Sequence, residues 1–139
     1  MIADYNTMPR MFWYCNRQYF DHKLPNPKYG ILHTFKQLGR FQYLKGWKGK
    51  PNKHMTILMS DYFDFDEETF RSVMVHEMIH YCLLLNGTDT KVCHGEAFKA
   101  KAQEFNEKYG LNIPITYDIT NIPNSPHAPK RTWWRCFHF

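Results

Sequence analysis

The chain has 139 residues, 43% of them hydrophobic and 22% charged, which suits one compact domain and excludes a disordered or collagen-like polymer. Its eleven Phe, nine Tyr and four Trp can fill a core at this size. The net charge is +5, and no apolar run approaches the roughly 18 residues of a membrane span. In chain order, Thr7 is placed to cap a first helix over residues 7–20, with Pro9 in the first turn, where a missing N–H costs nothing. Phe12, Cys15 and Tyr19 recur there at helical spacing. The Pro-rich turn 23–27 follows, then three short strand-like segments at 29–36, 41–45 and 54–59. Connections this short favour antiparallel neighbours. Asp64, with Glu67 three residues on, reads as the capping box of a second helix. Phe70, Val73, Met74, Met78, Cys82 and Leu85 track one face of it, and Asn86-Gly87 ends it. A third helix is expected over 95–109, with Gly110 as its stop. Beyond Leu111 the chain is rich in Pro and Asn and reads as irregular, with one candidate strand at 113–119. The pattern is α+β: about three helices on a short, mainly antiparallel three-stranded sheet.

The charge is unevenly placed. Residues 22–60 contain no acid but hold Lys23, Lys28, Lys36, Arg40, Lys45, Lys48, Lys50 and Lys53. The remainder carries ten basic against thirteen acidic side chains. Such polarity points to an anionic partner, nucleic acid first, or to a lysine-rich edge that prevents strands of different molecules from pairing. Arg40, Lys45, Lys48, Lys50 and Lys53 are the candidate phosphate contacts, and Trp47, with Phe41 and Tyr43, a candidate stacking surface for single-stranded bases. The four cysteines form no C-x-x-C pair and read as free thiols. With no basic flank and apolar stretch at Met-Ile-Ala-Asp-Tyr, the expected compartment is the cytoplasm, or the nucleoid or nucleus if DNA is bound.

Chemistry concentrates in the second helix, at His76-Glu77-Met78-Ile79-His80. Two His at i and i+4 share a helix face, where one Zn²⁺ can meet both imidazoles. Glu77 stands beside the first of them as candidate general base for a water acidified by the ion. Buried unpaired in so apolar a helix, these groups would be costly. The rival reading is three polar residues on a solvated face. A catalytic zinc usually takes a third protein ligand and keeps one open position. His94, at the start of the next helix, is the leading candidate, with Glu96 as the alternative.

Several segments carry a family pattern. Phe20 to Pro25 fits "F-x-x-x-L-P"; Leu38-Gly39-Arg40-Phe41 and Thr56-Ile57-Leu58-Met59-Ser60 fit two strands; Val75 to His80 fits an active-site helix; His94-Gly95-Glu96-Ala97-Phe98 fits "H-G-x-x-F". Over residues 8–110 the chain thus resembles the SprT-like zinc metalloprotease domain, the family that includes Spartan. The resemblance implies a zincin-like metallopeptidase domain over 1–110, Zn²⁺ as cofactor, His76, His80 and His94 as ligands, and Glu77 as catalytic base. The extension 111–139 ends in Thr132-Trp133-Trp134-Arg135-Cys136, which looks like the lead-in to a zinc ribbon, with Phe139 where a second Cys would stand. Relatives with the ribbon cleave DNA-crosslinked proteins and bind DNA partly through it. Three functions follow: a zinc endopeptidase acting on extended protein segments, including DNA-associated ones, with single-stranded DNA on a basic sheet face; a nucleic-acid-binding module with a non-catalytic zinc; or a peptidase with no nucleic-acid role. None involves a membrane.

Overall fold

The computed structural model describes residues 1–44, 54–87, 95–114 and 117–131. Helix α1 is Thr7–Tyr19, strands β1, β2 and β3 are Lys28–Leu32, Gly39–Tyr43 and Met55–Ser60, helix α2 is Glu67–Leu85 and helix α3 is Glu96–Tyr109. A single 3-10 turn, Ile119–Asn121, follows. Three helices with a three-stranded mixed sheet make this an α+β domain, as the sequence pattern implies.

The helix starts differ from expectation for identifiable reasons. Thr7 is the first helical residue of α1, not its cap. The Asp4 carboxylate accepts from the N–H groups of Asn6 and Thr7 at 2.8 and 2.6 Å, and the Thr7 hydroxyl accepts from Asp4 N–H at 3.0 Å. That is the reciprocal capping box, moved three residues upstream. Likewise α2 is capped by Asp66, whose side chain accepts from Thr69 N–H at 2.7 Å. Asp64 is engaged elsewhere: its carboxylate binds the Met1 ammonium at 2.8 Å, and its N–H donates to the Pro123 carbonyl. The helix ends follow expectation, with Gly87 and Gly110 both at positive φ.

Consecutive strands reverse direction, as short connections demand, but β3 inserts between the other two. The order is β1-β3-β2, with β1 parallel and β2 antiparallel to β3. The first strand stops at Leu32 rather than continuing to residue 36, because Phe35 leaves the sheet to pack edge-on against Phe63. Met55, Ile57 and Met59 of β3 are fully buried, alternating with half-buried Thr56 and Leu58.

Helix α2 runs through the middle, touching α1, α3, β2 and β3. Its buried residues are not confined to one stripe. Ser72, Val75, His76, Glu77, Ile79 and Tyr81 join the expected Phe70, Val73, Met74 and Met78. A helix covered on nearly every side shows no clean amphipathic period. Cys82 and Leu85, expected on the buried face, are half-buried at its end. The chain after α3 packs back onto the core: Ile113 is buried, Ser125 N–H donates to the Tyr62 carbonyl at 2.9 Å, and the Arg131 guanidinium lies over Phe35. Residues 111–114 and 117–119 hold no strand; residues 115–116, between them, lie outside the described residues. Among the described residues no helix is long and apolar enough to cross a membrane.

Because Asp66 closes the first turn of this central helix, Asp66→Ala is expected to lower unfolding stability by about 1 kcal/mol in urea titrations.

Candidate metal centre

The middle of α2 brings His76, Glu77 and His80 together. Their donor atoms all lie within 4.8 Å of one another. His76 and Glu77 are 6% and 5% exposed, while His80 is half-buried. The helix supplies this directly, since residues four apart stack on one face. Its surroundings then orient each group. The imidazoles of His76 and His80 are 5.2 Å apart, and Phe98 from the first turn of α3 lies 4.7 Å from one and 4.5 Å from the other, nearly parallel to His80. Tyr117 flanks His76 at 5.9 Å.

The tautomer of His76 follows from its partner. Nδ1 lies 3.3 Å from the Pro114 carbonyl oxygen. A carbonyl only accepts, so Nδ1 carries the proton and donates, which leaves the Nε2 lone pair for a cation. Two imidazoles one helical turn apart are donors that zinc favours, and Glu77 stands beside them within reach of a water on the ion, so the residues present fit the metal.

Glu77 is held against the sheet. A Cβ built on Gly39 would stand 3.1 Å from Glu77 Oε2 and 3.0 Å from Val73 Cγ1, so β2 can approach this close only because residue 39 has no side chain. Burial pushes the Glu77 carboxyl up from its ordinary 4.5 to about 8. The Tyr117 hydroxyl is also buried, and burial raises its pKa too.

Of the sequence-predicted residues, His76, Glu77 and His80 are therefore brought together. His94, Lys45, Trp47, Lys48, Lys50 and Lys53 lie outside the described residues. Glu96 is the exposed first residue of α3. Arg40 is exposed on β2, its Nε donating to Gln37 Oε1 at 3.4 Å. Phe41 is packed in parallel on Tyr81 at 5.5 Å, whereas Tyr43 is 40% exposed. Sequence reasoning missed Pro114 and Tyr117. A backbone carbonyl has no sequence signal, and Tyr117 is 41 positions from His76 with no motif to connect them.

With this geometry in place, comparison with known families gives a definite result. The family model of the SprT-like family matches residues 8–118, most of the chain, from the first turn of α1 through the sheet, α2 and α3. The chain belongs to the SprT-like family. No individual curated protein matches it.

The raised pKa of Glu77 has a consequence for the zinc-free protein. The unfolded chain ionises this group near its ordinary 4.5, the folded chain only near 8. Between those values unfolding releases a proton, so the contribution is fully present below about 4.5 and is lost as pH rises toward 8. Glu77→Gln has no such titration. The melting temperature of the zinc-free variant should rise relative to wild type as pH increases from 5 to 8 (roughly the titration window), read by differential scanning fluorimetry; a constant difference would contradict the assignment.

Proposed function

We propose that the chain is a zinc-dependent endopeptidase acting on extended protein segments. The observation that carries this reading is the convergence of His76, Glu77 and His80 on one point in a chain of the SprT-like family. When bound, zinc supplies Lewis acidity, which acidifies water and polarises a peptide carbonyl. His76 and His80 would hold the ion, with His94 as the proposed third ligand and Glu96 as its alternative. Glu77 takes the proton of the attacking water and passes it to the leaving amine. Its place beside His76, within reach of the point where the three donor groups meet, suits that task. Strand β2 is an edge strand of the sheet, and Gly39 sits beside Glu77. An extended substrate adding along that edge would pass the carboxylate.

Glu77→Gln keeps the shape of the side chain but cannot accept a proton. The variant is expected to bind zinc like the wild type, by elemental analysis, while cleavage of an unfolded protein substrate falls by about 10²–10⁴-fold. His80→Ala should lose both zinc and cleavage. Unchanged cleavage by the glutamine variant would exclude Glu77 as base.

A nucleic-acid partner is supported by one further observation: Arg40, exposed, directly follows the glycine that touches Glu77, with Lys28 and Lys36 exposed on the same acid-free stretch. Binding of a single-stranded oligonucleotide, followed by fluorescence anisotropy, should weaken steeply between about 50 and 200 mM salt. Exchanging Arg40, Lys45, Lys48 and Lys50 for Glu should remove it without changing zinc content. Absence of binding at low salt would leave a peptidase without a nucleic-acid role.

A further inference from the structure

Residues 112–114 form a strap that leaves α3 and crosses α2 beside His76. It has no regular structure, and a cavity of about 360 Å³, lined in part by Ser72, Asn112, Pro114 and Tyr117, opens along its flank. Close packing on that side therefore does not hold it. Polar pins do. The Ser72 hydroxyl, on α2, donates to the Asn112 carbonyl at 2.6 Å. Asn106, on α3, engages both backbone groups of Ile113: Oδ1 accepts from its N–H at 2.8 Å and Nδ2 donates to its carbonyl at 3.3 Å. One residue on, the Pro114 carbonyl accepts from His76 Nδ1. Ser72 and His76 are one turn apart on α2, so successive points of one helix face tie down the same strap.

We propose that Ser72 and Asn106 are positioning residues for the metal centre. They hold the Pro114 carbonyl where it keeps the proton of His76 on Nδ1 and presents Nε2 to the ion. This rests on the zinc reading above. The His76 contact, at 3.3 Å, is near the long limit of a hydrogen bond. A small drift of the strap breaks it. The proton can then reside on either ring nitrogen, and the share of molecules ready to bind metal falls.

The molecule contains its own control. Asn16 clamps Leu24 in the same two-bond manner, Nδ2 donating to the carbonyl at 2.8 Å and Oδ1 accepting from the N–H at 3.2 Å, but the segment it holds meets α2 through the Tyr81 hydroxyl, which donates to Pro25, and not through His76. The experiment measures zinc affinity by competition with a chromophoric chelator, and imidazole nitrogen NMR of the zinc-free protein, for wild type, Ser72→Ala, Ser72→Thr, Asn106→Ala and Asn16→Ala. Ser72→Ala and Asn106→Ala should weaken zinc binding about 10–100-fold and move the His76 proton toward Nε2. Ser72→Thr should restore both. Asn16→Ala should lose thermal stability but keep zinc affinity and the His76 tautomer. If Asn106→Ala fails to fold, Ser72→Ala decides. Wild-type affinity and tautomer in Ser72→Ala, or an equal loss in Asn16→Ala, would overturn the proposal. A wild-type protein that binds no zinc would instead defeat the zinc reading, and the tautomer measurement would still report on the strap.

Discussion

Two imidazoles and a carboxylate inside the most enclosed helix of the chain are the constraint on which the rest of the structure depends. Groups of this kind are costly to bury unless they share a partner. Within α2 they meet at a single point, His76, Glu77 and His80 each offering a donor within 4.8 Å of the others. A bound cation would meet both imidazoles directly and favour the Glu77 carboxylate through its charge. The burial that makes the cluster costly also raises the Glu77 carboxyl to about 8. The tension is local and of one origin: low solvent access around a helix packed on nearly every side.

Helical spacing alone does not finish the site. It puts the three side chains on adjacent positions, but ring orientation comes from elsewhere. Phe98 of α3 packs against both imidazoles, and the Pro114 carbonyl beyond α3 selects the His76 proton position. The sheet closes the Glu77 side through Gly39. Three separate segments thus converge on three residues of one helix. This explains why α2 has contacts to two helices and two strands, and why its buried residues wrap around it. The aromatic content serves the same end. Phe63, Phe65 and Phe70 pack edge to face or tilted beneath the start of α2, while Tyr19, Phe20 and Phe105 join α1 to α3.

Much of this was legible in the sequence where it depends on neighbours in the chain. The i, i+4 histidines, the glycine stops of α2 and α3, and three short strands all reflect local geometry, and the structure has them. What depends on distant partners was not legible. Asp64 has the sequence pattern of a cap, yet the Met1 ammonium and Pro123 claim it and leave the cap to Asp66. Each short connection correctly implied a reversal of direction, but no residue announces that β3 lies between β1 and β2. The one-face pattern expected for α2 understated its burial, because His76 and Glu77 count as polar although the fold encloses them. Pro114 acts through its carbonyl, which every residue possesses.

The position of Gly39 links the fold to the direction from which a substrate would arrive. Its register partner is Met59, fully buried on β3, so residue 39 sits at the inner end of the β2–β3 pairing. A Cβ there would meet Val73, Glu77 and the Leu58 carbonyl together, at 3.0 to 3.2 Å. A Cβ there would need Val73, the Glu77 carboxylate or the Leu58 carbonyl to shift by a few tenths of an ångström, so the position favours glycine. The glycine therefore does more than fit a turn. It lets β2 lie against the His–Glu–His face of α2, with the Glu77 carboxylate beside residue 39. Under the peptidase reading proposed above, a peptide that extends the sheet along β2 would pass close to that carboxylate.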